Sequence, residues 1–232
     1  MIDAGLSALK LNQRLHLAGV PRLDAIVLTH EHSDHVAGLK TFLRKCEVPV
    51  YATARTAQVV RENGVKASWQ TFEAGQAFGI GVMELLSFPT QHDAVDPVGF
   101  VVSGAGYRLG VLSDAGHVTA TMERHMEGMD ALFVESNYDE DLLERDVKRP
   151  WSIKQRIASR HGHLSNVQSA ELIGKVAHAG LRRVILGHLS SDCNQPDLAI
   201  AEVQRHLQGK GLAGVAVECA KSDALSGWWS LA

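Results

Sequence analysis

The stretch that most constrains this chain is Thr29-His30-Glu31-His32-Ser33-Asp34-His35, directly after the apolar run Ala25-Ile26-Val27-Leu28. Three imidazoles and a carboxylate crowded at the end of a buried strand are costly unless a cation binds them. On a strand end that turns into a helix, His30 and His32 lie two apart and point the same way. Asp34 and His35 follow the turn and face a second position. Imidazole and carboxylate are the donors that divalent ions such as Zn²⁺ and Mn²⁺ take. With 12 histidines in 232 residues, an H-x-H-x-D-H pattern arises by chance on the order of 0.002 times per chain. A solvated histidine loop is therefore the weaker reading. Glu31 and Ser33 alternate with the ligands and are expected to face away or to support them.

Short apolar runs alternate with helical periodicity along the rest of the chain. Strands are expected at 25–29, 48–51, 80–88, 98–103, 107–113, 130–135, 182–187 and 214–219, and helices at 34–45, 54–63, 119–127, 165–179 and 196–208. Gly104-Ala105-Gly106 reads as a hairpin, and Pro196-Asp197 as the opening of the last long helix. No repeat, low-complexity tract or long linker divides the sequence, so a single α/β domain over 1–232 is expected. The aromatic tail Gly227-Trp228-Trp229 is expected to dock on its core. A formal charge of −3 argues against coating nucleic acid through bulk charge, but leaves room for a local basic groove. Cys46, Cys193 and Cys219 are far apart and form no CxxC pair, which fits a reducing compartment. With no apolar run near the roughly 18 residues of a membrane span and no charged-then-apolar leader, a cytoplasmic protein is expected.

One cluster cannot fill two metal shells. Further candidates are His92 after the strand 80–88, Asp114 ending the strand 107–113, and His188 ending the strand 182–187. Each would sit at the C-terminal end of a strand, where loops build sites on a rigid scaffold. The order H-x-H-x-D-H, then His, Asp and His, resembles the metallo-β-lactamase fold. That resemblance implies a four-layer αββα sandwich with a dinuclear metal site. By motif position it implies His30, His32 and His92 on one ion, Asp34, His35 and His188 on the other, and Asp114 bridging them.

Three features bear on the chemistry: Val134-Glu135-Ser136-Asn137-Tyr138-Asp139, His161-Gly162-His163-Leu164-Ser165-Asn166 before a long helix, and Leu-Ser-Ser after His188. In these the chain is similar to phosphodiesterases of the RNase Z type, where a comparable Glu and His assist proton transfer to the leaving oxygen. The resemblance thus implies that role for Glu135 and His163. Phosphodiester hydrolysis needs charge neutralisation, an activated water and a proton for the departing alkoxide. A metal-bridging hydroxide held by Asp34 and Asp114 would attack phosphorus, and His163, oriented by Glu135, would supply the proton. The plainer alternative makes His163 a residue ahead of a helix capped by Ser165, and Glu135 an ordinary strand-end acid.

Charge adds a separate signal. Asp139, Glu140, Asp141, Glu144 and Asp146 form an acidic run. From 147 to 170 the chain then carries Lys148, Arg149, Lys154, Arg156 and Arg160, with Trp151 among them and no acid. Basic residues beside an aromatic suit a nucleic-acid backbone with a stacked base. These residues, with His161, Ser165 and Asn166, are the expected substrate contacts. A solvated face that pairs with the acidic run is the bland alternative.

The stretches THEHSDHVAGL, QHDAVDPVGFVV, SDAGH, VESNYDEDLL, PWSIKQRI, SRHGHLSN and HLSSDCNQPDLA resemble the bacterial WalJ/YycJ-like branch of DNA exonucleases. The resemblance covers nearly the whole chain. It implies DNA as substrate and two divalent ions, zinc, manganese or iron. Members usually carry one or two strands before their Ile-Asp-x-Gly stretch. Here the sequence opens at Met1-Ile2-Asp3-Ala4-Gly5, so a sandwich lacking its first strand or strands is expected, with an exposed sheet edge. Rival readings are a lactamase, lactonase or thioesterase on the same ligands, a non-catalytic binding protein, and an RNA-processing phosphodiesterase, which would tell RNA from DNA by the 2′-OH.

Overall fold

A computed structural model of the chain describes residues 1–221 and 224–226; Gly227-Trp228-Trp229 lies outside the described residues. Two compact units divide it. One comprises Met1–Pro89, Ala94–Val98 and the described part of 221–230, the other Thr90–Asp93 and Gly99–Ala220.

The first unit runs α1 (Ala8–Leu17), β1 (Ile26–Val27), α2 (Ser33–Val36), α3 (Leu39–Phe42), β2 (Val50–Thr53), α4 (Ala54–Glu62), β3 (Trp69–Phe72), β4 (Ala77–Ile80) and β5 (Met83–Pro89). β1, β2 and β3 form a parallel sheet in that order, and β4 pairs antiparallel with β5. Ile26, Leu28, Leu39, Phe42, Val50 and Val60 meet in one buried cluster. Burying each such side chain contributes roughly 1.5–3 kcal/mol. The Thr53 hydroxyl caps α4 by accepting from the Thr56 amide, which fixes the strand-to-helix turn.

The second unit carries β6 (Val98–Gly104), β7 (Tyr107–Leu112), α5 (Ala120–Met126), β8 (Ala131–Glu135), α6 (Glu140–Arg145), α7 (Trp151–Ile157), α8 (Asn166–Val176), β9 (Arg183–Gly187), α9 (Pro196–Gly209) and β10 (Ala216–Cys219). β6 and β7 form the hairpin read at residues 104–106. β7, β8, β9 and β10 then follow in parallel, each step crossing over through helices. α8 packs on α9 and α5. The near-continuous apolar runs of β8 and β9 suit strands buried on both faces.

Two expected elements divide. The helix read at 34–45 becomes α2 and α3, because Gly38 lies against the 4–6 segment. Its amide donates to Ala4 O at 2.9 Å, and a Cβ there would meet Leu6 O at 1.8 Å. The strand read at 80–88 becomes the β4–β5 hairpin, turning at Gly81 with φ +60. α1 escaped the reading because of its ten residues only Leu11 is buried, so its periodicity is faint. β3, α6 and α7 were also missed; the two helices have only six and seven residues. Among the described residues, no helix is long and apolar enough to cross a membrane. All three cysteines are free thiols.

Gly38→Ala is expected to lower stability by about 1–3 kcal/mol through overpacking against the Leu6 carbonyl. Thermal denaturation followed by circular dichroism checks this; an unchanged Tm would mean that the 4–6 segment gives way freely.

Candidate metal centre

In the first unit, β1 leads into Thr29 and His30, and His32 stands at the N-terminal end of α2, which carries Asp34 and His35. His30 is buried, and its ring centroid lies 4.6 Å from that of His32 and 4.1 Å from that of His35. Asp3 organises the group. Its Oδ1 accepts from the Thr29 amide at 2.9 Å, and its Oδ2 accepts from the Thr29 hydroxyl at 2.8 Å and from His35 Nδ1 at 2.7 Å. Because the Thr29 hydroxyl donates to Asp3, its oxygen accepts from His30 Nδ1 at 3.0 Å. Both rings thus carry the proton on Nδ1 and present Nε2 as the ligand atom. Asp34, the more exposed carboxylate, sits 3.4 Å from His35 Nε2. Glu31 faces elsewhere, accepting from the Val95 amide at 2.9 Å.

In the second unit, His92 donates from Nδ1 to Gly162 O at 2.8 Å, which again leaves Nε2 as the ligand atom. Asp114, at the end of β7, is buried and accepts from the Ser113 hydroxyl at 2.6 Å. Glu135 ends β8 with its side chain fully buried. Its Oε1 accepts from His163 Nδ1 at 2.6 Å and His188 Nδ1 at 2.9 Å. Its Oε2 accepts from the amides of Ala115 at 2.9 Å and Leu164 at 3.3 Å. Asn137 Nδ2 donates to His188 O at 2.8 Å. One donor atom from each of Asp114, Glu135, His163 and His188 lies within 4.8 Å of the others.

These surroundings set the charge states. Burial pushes the Glu135 pKa up, but hydrogen bonds from His163 and His188 outweigh it, and the net shift is downward. Burial would lower the His163 pKa, but the Glu135 bond and charge, with Asp114, raise it overall. For His92, burial prevails and the pKa falls, favouring the neutral ring that a metal ligand requires. Asp3, Asp114 and His188 all hold positive φ, at 55°, 54° and 56°. Left-handed backbone at non-glycine residues is sparsely populated and clusters at functional sites.

The basic segment is largely spent on ion pairs. Lys148 pairs with Asp192 at 2.5 Å, Arg149 with Asp146 at 2.7 Å and Asp192 at 3.0 Å, and Arg156 with Asp93 at 2.5 Å. Lys154 donates instead to the Glu144 carbonyl at 2.7 Å, and Arg160 to the His117 ring at 2.9 Å. Ser165 and Asn166 depart from the expectation that they touch substrate. Both are buried. Ser165 caps α8, and Asn166 is bonded to Ser136 and Asn194, so their polar atoms hold the loop together. The capping role weighed for Ser165 therefore holds, alongside the Glu135–His163 contact. Trp151 and His161 are exposed. Sequence reasoning gave no role to Asp3, Thr29 or Asn137, the residues that orient ligands. For Asp3 the available signal is its place in the Ile2-Asp3-Ala4-Gly5 stretch.

The donor set fits divalent ions of the first transition row: imidazoles anchored through Nδ1, with carboxylates beside them. Asp3→Ala is expected to weaken Zn²⁺ or Mn²⁺ binding about 10–100-fold, measured by competition with a fluorescent chelator. Unchanged affinity in the folded variant would show that Asp3 does not orient His35 for a metal.

The β-lactamase superfamily domain profile matches residues 1–189. Exodeoxyribonuclease YycJ of Bacillus anthracis is 33% identical over 229 residues, 96% of this chain and 86% of its own length. Exodeoxyribonuclease WalJ of Streptococcus pneumoniae is 36% identical over 208 residues, 86% of this chain and 76% of its own. Among solved structures, the metallo-β-lactamase fold protein YhfI of Bacillus subtilis matches with a TM-score of 0.68 at 18% identity, covering 95% of this chain and 83% of that one. That likeness bears out the expected fold class. The chain belongs to the β-lactamase superfamily and, within it, to the branch of the exodeoxyribonucleases YycJ and WalJ.

Proposed function

We propose that the chain is a metal-dependent exonuclease acting on DNA in the cytoplasm, with a dinuclear metal site and a single domain. The match of one family profile to residues 1–189, which include parts of both units, supports the single-domain reading. By motif position, His30, His32 and His92 would hold one ion and Asp34, His35 and His188 the other, with Asp114 shared between them. Zinc, manganese and iron are all compatible with these donors. Ions held there would supply charge for the non-bridging oxygens and lower the pKa of a bound water.

The observation that carries the reading is the buried Glu135 carboxylate bonded to both His163 and His188. A small-molecule hydrolase on the same ligands has no need of the Glu135–His163 pair. With His163 Nδ1 committed to Glu135, its Nε2 is the atom that delivers a proton to the departing sugar oxygen. By the same motif positions, Asp34 and Asp114 are the carboxylates that would hold the attacking water. The names of the full-length relatives support DNA over RNA.

The metal-loaded protein is expected to shorten 5′- or 3′-labelled linear DNA from one end, with activity lost on chelation and restored by Mn²⁺ or Zn²⁺. Asp114→Ala should abolish cleavage, and His163→Ala should slow it about 10²–10⁴-fold. A folded, metal-loaded protein that leaves DNA and RNA intact while opening a lactone or thioester would overturn the reading.

A further inference from the structure

A cleft of about 400 Å³ opens along α6 and α7, within the size range of small-ligand sites. Tyr138, Leu143 and Trp151 line its apolar side, and Glu140, Glu144 and Lys154 its polar side. Trp151 is 67% exposed, unusual for so large an aromatic side chain. α7 buries none of its own residues. The Lys154 ammonium pins it to the Glu144 carbonyl, and Ile157 packs on Tyr138, Leu143 and Cys193.

The cleft is built from the segments that carry the proposed chemistry. Glu140 Oε1 accepts from the Ser165 hydroxyl at 3.0 Å, two residues past His163. Tyr138 O accepts from the Asn166 amide at 2.9 Å. Asn137, the neighbour of Tyr138, holds the His188 carbonyl.

We propose that this cleft is a nucleobase subsite, in which one unpaired base of the substrate strand stacks on Trp151; the inference rests on the nuclease reading above. Charge decides between base and phosphate. Glu140 and Glu144 repel a phosphate, yet their carboxylates accept hydrogen bonds from the exocyclic amino groups of adenine, cytosine and guanine. Thymine offers no such group. An indole face stacks with any base, a contact worth about tenfold or more in affinity. Along the basic segment, Lys154 and Arg160 are the cations with no carboxylate partner among the described residues, which leaves them to the strand's backbone. A base reaches the cleft only when unpaired, so the strand held there is single or frayed.

The test is an abasic scan. kcat/KM is measured for the metal-loaded enzyme on single-stranded oligodeoxynucleotides, each lacking one base near the cleaved end. One position should cost about tenfold when its base is removed. Trp151→Ala should cost the same on the intact strand and nothing further on that abasic strand, while Trp151→Phe retains most of the activity. Adenine at that position should be favoured over thymine. Circular dichroism verifies that the variants fold, as expected for a side chain so exposed. Equal losses at every abasic position, or Trp151→Ala equal to the parent, would overturn the subsite and leave the nuclease reading standing. No cleavage of DNA by the parent enzyme would remove both.

Discussion

The second unit is organised around the carboxylate of Glu135. Taking a charged carboxylate fully out of water costs several kcal/mol unless its lone pairs are met. Here they are met by two imidazoles and two backbone amides. Those donors come from the loops after β7 and β9 and from the turn before α8, so one desolvated charge ties three strand and helix ends together. The left-handed backbone at Asp114 and His188 belongs to this arrangement: the Ala115 amide beside Asp114 donates to Glu135, and the His188 carbonyl accepts from Asn137.

Asp3 does comparable work in the first unit. It bonds Thr29 twice and His35 once, and through Thr29 it also sets the tautomer of His30. The two units use the same physics: a carboxylate bonded to Nδ1 of a histidine leaves Nε2 as the free ring nitrogen. Orientation of this kind governs affinity because a histidine free to rotate must be ordered when the ion binds.

Cations crowded in one segment invite a nucleic-acid reading, but most of this segment's charge is internally matched. Exposed ion pairs contribute little to stability singly. Arg149, bridging Asp146 and Asp192, nonetheless ties the turn before α7 to the loop after β9. Lys154 and Arg160 bond instead to neutral acceptors, and Trp151 and His161 stay exposed.

How much was legible follows from where the information resides. Strand ends bearing His30, Asp114 and His188 were readable because apolar runs and ligand chemistry are local. The division at Gly38, and the short α6 and α7, were not, because they answer to a backbone contact or have too few residues for a period to show. The sequence by itself determined the candidate donor types, their order and the buried strands that present them. Only the tertiary structure decided what holds the ligands: Asp3 on His35 across 32 residues, Gly162 on His92 across 70, and Glu135 on His188 across 53. Such bonds leave no periodic trace, because their partners are set by which strand ends the topology brings together.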